Sequence, residues 1–187
     1  MSGGWDKDYN HAERLLWQNP SQILFEIGLK IGDTLADIGC GDGFFSLAAA
    51  KIVGSQGLIY ALDTNTVAIT ALMANAQTAG AGNIHPILSD AQELVPCPTQ
   101  ADVALLANVL HDFRYPLKAL ANVKQALKPN GNIAVIDWKK EPQQRHGPPL
   151  AKRLSQEEEA KLLRNAGFKI IMVAPTGPFH YLLLATV

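Results

Sequence analysis

Between Asp37 and Phe45 the chain reads Asp-Ile-Gly-Cys-Gly-Asp-Gly-Phe-Phe, three glycines in five residues behind an acid. Gly39 and Gly41 remove the side chains that would hold a ligand off the backbone. The segment that follows, Ser46 to Val53, is helix-forming, and the start of a helix offers unpaired N–H groups and a positive dipole end. That combination suits an anionic group on the turn. A second acid, Asp63, stands 24 residues beyond Gly39 at the end of the apolar run Leu58 to Leu62, where a carboxylate can accept from both ribose hydroxyls. Its other use is to cap the helix Thr66 to Ala79, a task Thr64 or Asn65 could equally perform. Asn108, His111 and Asp112 follow a further apolar run, Asp102 to Ala107, and a histidine titrating near neutrality is suited to act as a base.

These residues require a frame of alternating strands and helices. Apolar runs ending at Ile38, Leu62, Leu88 and Ala107 read as strands, and Ile133 to Asp137 reads as a fifth. Helices are expected at Ser46 to Val53, Thr66 to Ala79 and Leu117 to Leu127, the last closed by a Lys128-Pro129-Asn130-Gly131 turn. Gln156 to Asn165 is a further helix with Ser155 as its N-cap and three glutamates in its first turn. Strands Phe168 to Val173 and Phe179 to Thr186, joined through Pro175-Thr176-Gly177-Pro178, finish the sheet.

The glycine spacing separates two kinds of nucleotide turn. A dinucleotide site places glycine at the first, third and sixth positions, and here the sixth is Phe44. Gly-x-Gly-x-Gly behind an acid resembles the first motif of the Rossmann-like S-adenosylmethionine-dependent methyltransferases, and the resemblance extends over about residues 20 to 187. It implies a three-layer αβα sandwich with a seven-stranded, mostly parallel sheet, an antiparallel last strand and the order 3-2-1-4-5-7-6. It implies S-adenosylmethionine as cofactor, with Asp37 near the cofactor's amino group, Asp63 on the ribose and Asp90 facing the adenine amino group. Asp90 is equally placed to cap the turn that follows it. The cofactor set carried over is Asp37, Gly39, Cys40, Gly41, Asp63, Thr64, Asp90, Ala91 and Asn108. His111 and Asp112 are the catalytic candidates, with capping by Asp112 and packing by His111 as the ordinary alternatives.

Within that superfamily the pattern is most similar to the group of quinone-biosynthesis carbon methyltransferases and arsenite methyltransferases. Arsenite chemistry needs several thiolates, and only Cys97 lies outside the glycine turn. The run Asn108-Val109-Leu110-His111 lacks the two prolines and the aromatic residue of enzymes that methylate amide or exocyclic amino nitrogens. A carbon or oxygen atom of a small-molecule acceptor is therefore expected, with no metal. The alternatives are a cofactor-binding protein without turnover, or a modifier of a protein or RNA partner.

A chain of 187 residues, 48% hydrophobic, supports one domain. A net charge of −1 offers no general attraction for nucleic acid, and no apolar run reaches membrane-spanning length. The N-terminus shows no export signal, so the cytoplasm is the expected location; the oligomeric state is open, a homodimer included. Two segments are additions to the bare sheet. The resemblance implies that residues 1–30 form a helical lid over the cofactor; Tyr9 and His11 are candidate site contacts, while Trp17, Ile23, Leu24 and Ile27 read as core. Residues 138–154 form a loop with five basic residues against Glu141 alone, either a solvated face or a site for an acidic small molecule near the acceptor.

Overall fold

The computed structural model describes residues 11–142 and 146–187. Seven strands form one sheet: β1 (Thr34–Ile38), β2 (Leu58–Asp63), β3 (Ile84–Leu88), β4 (Ala101–Ala107), β5 (Leu127–Trp138), β6 (Lys169–Thr176) and β7 (His180–Thr186). Their order is β3-β2-β1-β4-β5-β7-β6, with β7 antiparallel to both β5 and β6 and the remaining pairs parallel. This is the fold and the strand order expected from the sequence. The central strands are buried on both faces, which is why Val103 to Leu106 and Ile133 to Ile136 are unbroken apolar runs.

Helices α1 (His11–Leu15), α2 (Pro20–Glu26), α3 (Ser46–Val53), α4 (Thr66–Ala79), α5 (Pro116–Ala126) and α6 (Gln156–Asn165) divide between the two faces. Leu24 of α2, Ala49 and Val53 of α3 and Leu72 of α4 pack with Leu35, Leu105 and Ile136 on one side. Leu120 and Val123 of α5 and Leu163 of α6 pack with Ile38, Leu106 and Val135 on the other. Local chemistry sets the helix ends. Asn65 caps α4 through Val67 N–H, Gly80 ends it in the left-handed conformation, and Ser155 and Glu158 make a reciprocal capping box on α6.

Two turns fall within strand bounds. Lys128 to Gly131 loop out of the β4–β5 ladder, with Asn130 in the left-handed conformation at φ +63°, because Leu127 pairs with Ala101 and pairing resumes only at Asn132 with Val103. Asp102 alone stands opposite those four residues and bonds Lys128 Nζ at 2.8 Å and Thr34 N–H at 2.9 Å. Pro175 and Thr176 belong to β6, which runs past Val173; as the sheet's edge strand it tolerates a proline without an N–H.

Candidate active site

The glycine turn joins β1 to α3, and each glycine meets a different demand. A Cβ on Gly39 would lie 2.7 Å from Val109, so its absence lets the segment after β4 close on the turn. A Cβ on Gly43 would lie 2.5 Å from Leu72 of α4. Gly41, at φ +57°, has nothing within 4 Å of that position and leaves open space over the turn. The backbone donors correct the sequence expectation. Gly39 and Cys40 N–H both donate to Leu62 O, Gly41 N–H donates to Asp63 Oδ2 at 2.9 Å, and Gly43 N–H donates to Cys40 O. Four of the turn's five amides are thus held by Leu62, by Asp63 and by the turn itself.

The anion at the start of α3 is Asp37 itself. Its carboxylate is buried and accepts from Ser46 Oγ at 2.6 Å, with the Ser46 backbone N–H also facing it. Burial pushes its pKa up to about 6 against the opposing pull of Ser46 and Arg14.

Asp63 does not cap α4. Its two oxygens accept from Gly41 and Asn65 N–H, each at 2.9 Å, and each keeps further lone-pair capacity toward a ribose. Thr64 is exposed beside it. Ser89 N–H donates to Asp63 O, bringing the end of β3 alongside. There Asp90 caps its own turn, accepting from Gln92 N–H at 2.8 Å, and the carbonyl of buried Ala91 is held by Asn122 Nδ2. Asn108 adopts φ +59°, a conformation asparagine tolerates better than most residues, and its N–H donates to Ile136 O at 2.7 Å. Its Oδ1 is buried without a hydrogen bond.

His111 lies in the one-turn 3-10 helix Leu110–Asp112 and its side chain is 2% exposed. Nδ1 is 2.7 and 2.8 Å from the two oxygens of Asp137, the buried acid near the end of β5, so Nδ1 carries the proton and donates. Burial would lower the imidazole pKa, but the Asp137 hydrogen bond and charge, with Asp112, outweigh it and raise the value. Asp112 is exposed, 3.7 Å from His111 Nε2 and 3.9 Å from Lys152 Nζ. His111 also lines a cavity of about 400 Å³ with Leu110, Phe113, Pro116, Leu154 and Leu162, with Glu158, Lys161 and Asn165 adding polar groups.

Sequence reasoning placed Asp137 only at a strand end and Ser46 only in a helix. The signal for Asp137 was an acid closing the apolar run Ile133 to Ile136, as Asp37 nearly closes β1; Ser46 gave none.

The added segments reach the same edge. His11 Nε2 is 2.9 Å from Asp42 Oδ1 in the glycine turn, and the Arg14 guanidinium lies 3.9 Å from the Phe44 ring centre. Ile23, Leu24 and Ile27 are core, and Trp17 stacks on His180 at 5.1 Å. Trp5 and Tyr9 lie outside the described residues, as does Arg145. In the basic loop, Lys139 donates to Pro178 O, Lys140 pairs with Glu158, and buried Arg153 donates to the carbonyls of Pro148, Lys139 and His146. Those three cations have structural partners.

The open space beside Gly41 and the orphaned Asn108 Oδ1 fit a polar cofactor at the carboxyl ends of β1, β2 and β4, where open α/β sheets bind nucleotides. Fold and site together define a Rossmann-like nucleotide-cofactor protein. The family model described as a methyltransferase domain matches residues 29–170, and the chain belongs to that family. The crystal structure of an S-adenosylmethionine-dependent methyltransferase from Aquifex aeolicus superposes with a TM-score of 0.88 at 29% identity, covering 96% of this chain and 100% of that one. The chain is 28% identical over 144 residues to a 2-phytyl-1,4-naphtoquinone methyltransferase of Trichormus variabilis, 71% of this chain and 63% of that protein. It is 39% identical over 72 residues to a probable cobalt-precorrin-6B C(15)-methyltransferase of Methanosarcina acetivorans, 38% of this chain and 39% of that protein. It thus spans less than two thirds of these curated relatives. The chain thus carries a methyltransferase domain on the fold of an S-adenosylmethionine-dependent methyltransferase. No helix among the described residues is long and apolar enough to cross a membrane.

Proposed function

We propose that the enzyme methylates a carbon or oxygen atom of a small, largely apolar acceptor seated in the cavity beside His111. The observation that carries this reading is the buried His111–Asp137 pair in the wall of an apolar cavity of a size suited to a small ligand. S-adenosylmethionine supplies a methyl group on a sulfonium, which an acceptor displaces in line. Asp37, Asp63 and the turn around Gly41 would hold and orient the cofactor, together with Asp90, Ala91 and Asn108. Leu110, Phe113 and Leu162 exclude water from the acceptor. His111 takes the acceptor's proton at Nε2 while Asp137 holds Nδ1–H and stabilises the resulting imidazolium. The names of the naphthoquinone and precorrin relatives favour a ring-bearing acceptor. Two free cysteines, Cys40 buried in the turn, agree with a reducing, cytoplasmic setting.

The test is a screen for S-adenosylhomocysteine release across hydroxylated aromatic and quinol-type acceptors, repeated with His111→Gln and Leu162→Arg. Turnover should fall about 100-fold or more in His111→Gln with cofactor affinity retained. Leu162→Arg should raise the KM of any acceptor found. Turnover unaffected by either change would remove the cavity from the reaction.

A further inference from the structure

We propose that Glu159 is a positioning residue for the reaction, a neutral carboxylic acid seated beside Asp137 that steadies the Asp137 carboxylate in the orientation receiving His111 Nδ1. The inference rests on the reading of His111 as the acceptor's base. Glu159 lies in the first turn of α6, where its helix neighbours Glu157 and Glu158 are exposed, yet it is fully buried. Neither of its oxygens accepts a hydrogen bond. The side chains it faces are Asp137 of β5 and Tyr181 of β7, with Glu158 next to it on its own helix. Tyr181 spends its hydroxyl proton on Leu154 O at 2.9 Å.

Two carboxyl groups buried together do not both ionise. Asp137 faces two donors, His111 Nδ1–H and Trp138 N–H at 2.8 Å, and is the natural anion of the two. The cations nearest the group, Arg153 and Lys152, act on Asp137 and His111 respectively. Glu159 has no cation of its own and keeps its proton, a direction that burial and the charge on Asp137 both favour. A protonated carboxyl is a donor, and the acceptor in front of it is Asp137. The chain of contacts therefore runs from α6 through β5 to the 3-10 turn after β4, so that helix packing is transmitted to the imidazole.

The experiment is histidine-selective NMR on the S-adenosylmethionine-bound protein, wild type against Glu159→Gln and Glu159→Leu, following the His111 pKa and solvent exchange of its Nδ1–H. Glutamine is neutral and still donates, so His111 should titrate within about 0.3 unit of wild type with its Nδ1–H equally protected. Leucine fills the space without donating, and Nδ1–H exchange should accelerate about tenfold or more. A His111 pKa lowered by about one unit or more in Glu159→Gln would mean that Glu159 is ionised, overturning the proposal. A leucine variant with altered thermal stability but unchanged Nδ1–H exchange would reduce Glu159 to a packing role and also overturn it. If leucine abolishes folding, the glutamine arm decides alone. Neither readout depends on methyl transfer, so an error about the acceptor or the base leaves these outcomes interpretable.

Discussion

Asp37→Asn should make the cofactor-free protein more stable relative to wild type as pH rises. Asp37 is 1% exposed, and its pKa moves from 3.8 to about 6 on folding. Because the folded value lies above the unfolded one, the folded chain binds the proton more tightly. The stabilisation is full below about pH 4 and is lost as pH rises through about 6. The shift of about two units corresponds to about 3 kcal/mol. Asparagine still accepts from Ser46 but has no charge to bury, so that loss disappears in the variant. The difference in unfolding free energy between Asp37→Asn and wild type should therefore grow by about 3 kcal/mol in favour of the variant between about pH 4 and 7. Chemical denaturation of both proteins across that range measures it, and the comparison cancels the titrating groups that do not interact with Asp37. Calorimetry with S-adenosylmethionine should show the opposite ranking, with the asparagine variant binding more weakly, as expected for a site whose function is held against stability. A stability difference that does not vary with pH would refute the argument that burial governs this carboxyl.

Gly41→Ala should fold with a loss of about 1 kcal/mol, because only its φ of +57° is strained, yet bind S-adenosylmethionine poorly because the new methyl enters the open space over the turn. Gly43→Ala should lose about 2–4 kcal/mol in thermal unfolding, since φ +98° and buried Leu72 both oppose the Cβ. Equal stability of the two variants would overturn the division of labour among the glycines. Asp63→Ala should weaken S-adenosylmethionine binding by roughly 1–3 kcal/mol in calorimetry, through lost bonds to the ribose and a loosened Gly41 amide; unchanged affinity would sink the ribose assignment.

The parts of this molecule legible in sequence are those whose causes lie within a few residues. The periodicity of α4 and α6 and the caps of Ser155 and Asn65 are local, and the strand order came with the resemblance carried by the glycine turn. The uses of the Gly39 and Cys40 amides were not legible, because their acceptor, Leu62 O, arrives from a neighbouring strand more than twenty residues away. The same limit applies to the acids. A cap on α4 could come from Asp63, Thr64 or Asn65 on sequence alone, until the fold brought Gly41 N–H to Asp63 and gave Val67 N–H to Asn65. Pro129-Asn130-Gly131 reads as a turn from its residues alone. Asn130 at φ +63° keeps that preference; what the residues alone do not show is that the turn interrupts a strand whose Leu127 is already paired with β4.

Side-chain alternation along β1 and β5 explains how one sheet edge can serve two chemistries. In β1, Leu35 faces the layer of α2, α3 and α4 while Ala36 and Ile38 face the other, so Asp37 shares the face of Leu35 and meets Ser46 at the start of α3. In β5, Ile133 and Val135 face the layer of α5 and α6, so Asp137 points to that side and meets His111. Each acid is buried near the carboxyl end of its strand and receives a donor from an element beyond a strand end. The sheet lies between them, keeping the Asp37 anion out of contact with the one that holds His111. Under the proposed roles, separating a carboxylate for the cofactor from a carboxylate for the base would be a consequence of strand parity, and shifting β5 by one residue would turn Asp137 toward the opposite face and strand His111 without its partner.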